Sequence, residues 1–426
     1  MIEKALELAM KKAGAAEITH REERMSSAEY EDDKLKRVSA SQTTEIGVRV
    51  IINDKVGWSS ATDPHEIESA VARAVELAEF GSEARFSFPG PASAPDVKTY
   101  DPGIERISRE ELVSAGGDIL ERLKAYNSEI KVTGEAGWAV MSGRLVNSSG
   151  LDISAEFSDY VVYVSGMLIR GTDMLFAGKL RQWRTKEADA RKLADDTIQL
   201  FRQAERIAPL TSREMPVIFT PRGVQVLLLP LTLGVNGKNV LKGDSPLARR
   251  LGERIAAPAF SLTDDGTIDY APQSSSYDGE GVPRRKNEII KDGALNCFLY
   301  DLETAARAGT ASTANGPGCG TSNLVVGRGD VSFEEMVKST REGVIVENVL
   351  GLGQSNAING DFSVNIALGY KIENGEIVGR VKDAMVTGNV YDALPRIEAI
   401  GSESEWSAST CSPAVKVAGL SVVAGG

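Results

Sequence analysis

Apolar residues recur at helical spacing over residues 2–13, where Ile2, Ala5, Leu6, Ala9 and Met10 share a face, and Gly14 stands where a left-handed cap would close the helix. The period then changes. Between Ala16 and Ser60 the stretch "EIGVRVIINDKVGWSSA" is rich in β-branched residues and breaks at Asn53-Asp54, a pair that tolerates positive φ, so a β-meander with a hairpin is expected. A second helix is expected over about 64–80, with Ile67, Val71, Val75 and Leu77 on one face, followed by the Pro-rich connector "FSFPGPASAPDVKTYDPG". The order then repeats: helical spacing over 108–126, paired strands around the "NSSG" turn, and helix again over 186–206. Helix, meander, helix occurring twice predicts a duplicated α+β unit, and strands adjacent in sequence predict antiparallel pairing.

A boundary falls in "APLTSREMP", residues 208–216. Beyond it glycine becomes dense, tight turns such as "KDGA", "ENGE" and "INGD" multiply, and helical spacing survives only over 222–229, 245–254 and 332–342. The fold class expected is α+β in two domains: residues 1–210 form an N-terminal α+β domain with an antiparallel sheet, and residues 211–426 a β-rich domain.

Composition narrows the function classes. With 42% hydrophobic and 25% charged residues, the chain has the make-up of an ordinary globular protein, and no apolar run reaches the roughly 18 residues of a membrane span. The opening "MIEKALELAMKKAG" is amphipathic and charged, unlike a secretory signal, which predicts a cytoplasmic protein without membrane association. A formal net charge of -12, with no basic stripe, argues against nucleic acid as a direct partner. Cys297, Cys319 and Cys411 are odd in number and widely spaced, so they encode neither a disulfide framework nor a metal knuckle; they are expected to be small core residues, with Cys411 partly exposed.

Histidine chemistry is nearly excluded, because only His20 and His65 occur. His20, in "AEITHREER", is expected on an exposed strand. His65 sits in "TDPHEIESAV", but the positions that would complete HExxH or HExxxH are Ser69 and Ala70. A helix start explains the stretch better: Asp63 as N-cap, Pro64 at the first helical position, and Glu66 three residues after the cap, able to reach back to it. No phosphate-binding loop is present, and "GLGQSN" ends in Asn356 where a dinucleotide fingerprint needs glycine. The densest acidic cluster, Asp264, Asp265 and Asp269 with Asp278 and Glu280, fits Asx turns next to glycine; a hard-cation or acid/base site is the alternative.

The C-terminal runs "DGEGVPRRKNEIIKDGALNCFLYDLETAARAG", "NLVVGRGDVSFEEMV", "GQSNAINGDFSVNIALGYKIENGEI" and "SASTCSPAVKVAGLSV", with "EIGVRVIINDKVGWSSATD" in the first half, resemble the TldD/PmbA family, and within it the PmbA (TldE)-like branch. The resemblance spans the whole chain. It implies a dimeric assembly in which a TldD-type subunit carries zinc on an HExxxH helix after the first strand of the C-terminal domain, with a cysteine near the C-terminus as a further ligand. The matching segment here, "RGVQVLLLPLTLGVNGKNVLKGD" after "MPVIFT", has no histidine and no glutamate, so it cannot ligate zinc by that motif. Cys411 matches the cysteine position. Asp278, Glu280 and Gly281, and Asn359 and Gly360 of the "INGD" turn, match family signatures and are expected to shape a groove or a turn.

The resemblance thus implies a noncatalytic subunit with no catalytic or metal-binding residues and no cofactor of its own, zinc being expected only in a TldD-type partner. The two together would act on unfolded peptides or small proteins, in peptide maturation or antitoxin turnover, with a homodimer as a further assembly. An extended substrate adding as a β-strand would suit edge strands. The alternative is an autonomous, metal-independent hydrolase using Cys411 or the acidic cluster, which lacks a nearby base in sequence. Regulation of a topoisomerase, suggested by the older label of the family as a modulator of DNA gyrase, conflicts with the acidic charge.

Overall fold

The structure, a computed structural model, describes residues 1–186 and 189–425. Its first half is one six-stranded antiparallel sheet in the order β3-β2-β1-β4-β5-β6. Strands β1 (Ala15–Glu31), β2 (Lys34–Ile52) and β3 (Lys55–Ala61) follow helix α1 (Ile2–Met10) and precede α2 (Ile67–Leu77). Strands β4 (Lys131–Asn147), β5 (Asp152–Arg170) and β6 (Asp173–Trp183) follow α3 (Arg109–Tyr126) and precede α4 (Ala190–Gln203). The two meanders have strands of 17, 19 and 7 residues and of 17, 19 and 11 residues, and join through the central β1–β4 pair. The repeat of helix, meander and helix expected from the sequence is therefore the architecture of this half. The expected final helix is realised from residue 190 on, and residues 187 and 188 lie outside the described residues.

One face of the sheet is covered twice. Ile18, Val48 and Val50 pack against Ala5, Ala9, Ala70 and Ala74 of α1 and α2, while Ala28, Val132, Ala136 and Val162 pack with Leu112, Ile119, Leu193 and Phe201 of α3 and α4. Period-two burial along the strands and helical-period burial on the helices meet to make each core. The β2–β3 turn uses Asn53 and Asp54 with φ of 50° and 58°, the left-handed pair that a two-residue hairpin requires. Ahead of α2, Asp63 caps as expected, accepting from the His65 amide at 2.8 Å, but the chain there is first a 3-10 turn, Pro64–Glu66, and the hydrogen bond of Glu66 back to the cap does not form.

The second half is an eleven-stranded sheet, all of it drawn from residues after 212. Five of its strands close into a ring. Strand β7 (Arg213–Phe219) begins it, followed by helices α5 (Gln225–Val235) and α6 (Gly237–Lys242) and short strands β8 (Leu262–Asp265), β9 (Lys286–Lys291) and β10 (Ala294–Leu295). Helix α7 (Leu302–Ala308), strand β11 (Leu324–Val326) and helix α8 (Phe333–Lys338) come next. Then follow β12 (Glu342–Leu350), β13 (Asp361–Glu373), β14 (Glu376–Arg380), β15 (Ala384–Asn389), α9 (Val390–Ala393), β16 (Ile397–Ser407) and β17 (Thr410–Ala424). Strand β7 pairs with β12 in parallel and with β17 in antiparallel fashion, so β7, β12, β13, β15 and β17 form a closed barrel. Closure removes free edges and buries Val217, Phe219, Val346, Val364 and Val417. Helical spacing misled at 245–254, which is a run of turns: Ser245 Oγ donates to the Gly234 carbonyl and accepts from the Leu247 amide, local bonds that compete with a helix. Among the described residues no helix is long and apolar enough to cross a membrane.

Candidate functional site

Residues singled out in the sequence gather at two separate places. The first surrounds α5, which β7 feeds through Thr220–Gly223. Gly223 is required there, since a Cβ would lie 2.1 Å from the Val346 carbonyl oxygen. From Val226 to Val235 the helix is apolar nearly all round, and Val226, Leu227, Leu228, Leu231 and Val235 are fully buried. Its start is tied to β17 by Gln225 Nε2, which donates to Thr410 Oγ1 at 2.8 Å; Cys411 is the next residue along that strand. Its other side packs on the 3-10 turn Ala357–Asn359. There Asn389 Nδ2 donates to the Asn359 carbonyl at 2.9 Å, and Gly360, at φ 90°, leaves room for the Tyr391 ring, which a Cβ would approach to 2.6 Å.

This donor set does not fit a zinc ion. Helix α5 offers no histidine, cysteine or carboxylate, and among the described residues no group of three or more such side chains is placed to hold a metal. Burial pushes the Cys411 thiol above its ordinary range, with Arg328 opposing weakly, which disfavours the thiolate. Cys319 is buried and Cys411 half-buried, as expected, whereas Cys297, expected in the core, is half-buried and packs against the core's edge. Cys411 lies on β17 between β16 and β11, where the pleat leaves one side of the strand partly open.

The second place is the loop 275–284, where the C-terminal half meets the N-terminal sheet. Asp278 is buried and folds the loop around itself: Oδ1 accepts from the Glu280 and Val282 amides, both at 2.9 Å, and Oδ2 from the Gly316 amide at 2.8 Å. Gly281 takes φ 81°, and a Cβ would meet Leu151 at 2.4 Å. Glu280 Oε2 accepts from the Leu302 amide at 2.8 Å, at the start of α7, while Oε1 lies 3.4 Å from Arg49 Nη1. Arg49 also reaches Glu17, with Nη2 2.8 Å from Oε1, and its guanidinium sits over the Phe88 and Phe86 rings at 4.9 and 5.5 Å. One cation, enclosed by aromatic rings, therefore joins two buried carboxylates from opposite halves of the chain. The Glu17–Arg49 approach is poorly angled, leaving Glu17 Oε2 and Arg49 Nε and Nη2 without hydrogen-bond partners.

Burial is the main cause of the shifts here. It raises Glu17 to about 7 against the pull of Arg49, raises Asp278 and Glu280, and lowers Arg284. The other acids have structural partners. Asp264 accepts from Ser322 Oγ at 2.8 Å and Asn315 Nδ2 at 2.7 Å, and Asp265 makes an Asx turn to the Thr267 amide at 2.9 Å.

Beside this junction lies a cleft of about 430 Å³, between the helix-free face of the six-stranded sheet and loop 275–284. Trp58, Met141, Ile153, Phe157 and Tyr277 give it an apolar lining, and Trp58 is 56% exposed. His20, expected to be solvated, is half-buried at its rim. Sequence reading did not single out Glu17, Arg49, Trp58 or Tyr277. Alternation along β2 and β3 carried part of the signal, since Arg49 and Trp58 occupy paired positions on one face.

Residues 212–424 match the PmbA/TldA metallopeptidase C-terminal domain, and residues 16–78 match domain 1 of the same metallopeptidases. The metalloprotease PmbA of Escherichia coli O157:H7 is 26% identical over 449 residues, covering 97% of this chain and 94% of that one. A metalloprotease of Methanocaldococcus jannaschii is 26% identical over 409 residues, covering 89% and 88%. The crystal structure of TldE from Thermococcus kodakarensis superposes with a TM-score of 0.91 at 24% identity, covering 99% of each chain, and so shares the fold. With half of its length matched by the C-terminal model and its N-terminal strands by another model of that kind, this chain belongs to the PmbA/TldA (TldD) metallopeptidase family.

Proposed function

We propose that this chain is a noncatalytic subunit of a two-chain, TldD/TldE-type peptidase, working in the cytoplasm with a zinc-bearing partner on unfolded peptides or small proteins. The observation that carries the reading is α5: where relatives are named metalloproteases, this helix presents a buried apolar surface without a metal donor or a general base. The apolar cleft beside loop 275–284 suits the substrate class, because an extended chain can lay alternate side chains against Trp58, Phe157 and Tyr277 while its backbone supplies sequence-independent affinity. Peptide maturation and antitoxin turnover are reactions of this kind.

The competing reading, an autonomous hydrolase, is poorly supported. The Cys411 thiol is shifted away from ionisation, and Asp264 and Asp278 already accept hydrogen bonds from protein donors. Co-expression decides between the two. Mixed with a TldD-type chain, the protein should co-purify as a complex whose peptide hydrolysis is chelator-sensitive, and Trp58→Ala should weaken peptide capture. Stoichiometric zinc and chelator-sensitive cleavage by this chain alone would sink the proposal.

A further inference from the structure

A cavity of about 330 Å³ lies on the helix-covered side of the N-terminal sheet, where α3 and α4 end beside the β5–β6 turn and β14. Its volume is that of a small-molecule site, and it shares no lining residue with the cleft at loop 275–284. Leu168, Leu175, Phe201 and Ala204, all buried, form an apolar floor. The charged lining residues are Arg170, Arg380, Asp173 and Glu205, two of each sign, so the cavity is neutral overall.

Arg380 distinguishes this cavity from a surface hollow. It is only 6% exposed, and its backbone is held on both sides: its amide donates to the Arg206 carbonyl and its carbonyl accepts from the Ala208 amide, both at 2.8 Å. Its guanidinium bonds Asp173 through Nη2, while Nε is buried without a partner and Nη1 donates to no described residue. A guanidinium carries five N–H donors in a fork that matches a carboxylate, so most of this capacity is open. The exposed Arg170 side chain, on the same turn as Asp173, makes no ion pair or hydrogen bond with a described residue. Negative potential comes from other elements. Helix α3 ends at Tyr126 and α4 at Gln203, so the negative ends of two helix dipoles meet here. Glu205 adds a carboxylate, whose Oε1 accepts from Tyr126 Oη at 2.8 Å and whose Oε2 accepts from no described residue. Asp173, by contrast, is already held by Arg380 and by the Lys382 ammonium, 3.3 Å from Oδ1.

We propose that this cavity binds a small zwitterion with an apolar side chain: its carboxylate on Arg380 and Arg170, its ammonium on Glu205 and the helix ends, its side chain on the apolar floor. Free apolar amino acids and apolar dipeptides share this chemistry. Because Arg380 belongs to the second half and Asp173 and Glu205 to the first, an occupant ties the halves together and stabilises the folded chain. The inference does not rest on the proposed subunit role.

Titration calorimetry and thermal melting of the full chain with L-leucine, L-phenylalanine and Leu-Leu test this. At least one should bind in one equivalent and raise the melting temperature. Removing either charge of the best ligand, as its amide or its N-acetyl form, should weaken binding about tenfold or more. Arg170→Gln and Glu205→Gln, both at exposed positions, should leave the unliganded melt unchanged and each weaken binding about tenfold. A preference for Leu-Leu identifies a dipeptide site, and a preference for the single residue an amino acid site. No binding at millimolar concentration, equal affinity for the blocked forms, or affinity indifferent to both variants would overturn the proposal.

Discussion

At the scale of single residues, the buried Glu17 carboxyl is the most consequential group. Its folded pKa of about 7 lies above the ordinary 4.5, so the folded state holds the proton more tightly than the unfolded chain. Stability from this group is full below about pH 4.5 and falls as pH rises to about 7, by up to about 3 kcal/mol. Denaturation of wild type and Glu17→Gln at pH 5 and pH 8 should show the variant gaining on the wild type as pH rises; an equal difference at both values refutes this. Gly281 gives a second prediction. A side chain there combines positive φ with a clash against Leu151, and Gly281→Ala should cost about 1–3 kcal/mol in urea unfolding. The chain's composition could exclude histidine chemistry, but it could not show that Glu17 is buried, because "EITHREER" reads as an exposed strand until loop 275–284 covers one end of it.

At the scale of elements, α5 and the meanders behave oppositely. Strand and turn patterns made the twofold repeat visible, since period-two alternation and Asn-Asp or Ser-Gly turns are local properties. The absence of donors in α5 was equally plain. Its neighbours were not, because Gln225 and Thr410, and Asn359 and Tyr391, are brought together by barrel closure across long stretches of chain. If α5 serves as a packing element, Leu231→Ala should cost about 2–5 kcal/mol by opening a cavity in the barrel core, measured by thermal or urea unfolding. A loss well under 1 kcal/mol would mean the helix is not packed as described.

At the scale of the whole molecule, the two halves share an apolar core, in which Ile218, Ile345, Leu368 and Ile372 pack with Ala28, Leu112, Val162 and Phe201, and many polar contacts such as Lys179–Glu347 and Arg181–Glu405, among which the Arg49 bridge is buried. Arg49→Met would strand two buried carboxylates, and removal of one partner from such a site typically costs about 3–5 kcal/mol. Calorimetry should then show a lower first transition, with limited proteolysis entering near the connector 81–103; a single unshifted transition would show that the junction does not depend on this cation. Sequence alone determined the repeated α+β half, the β-rich half, the family and the missing zinc motif, because each rests on local periodicity or on residue types present or absent. Only the tertiary structure decided that Asp278 and Glu280 belong to a junction and not to α5, that Arg49 bridges the halves, and that an apolar cleft and a cavity at Arg380 remain. Burial and enclosure depend on which distant segments fold over a strand, and no local pattern encodes that.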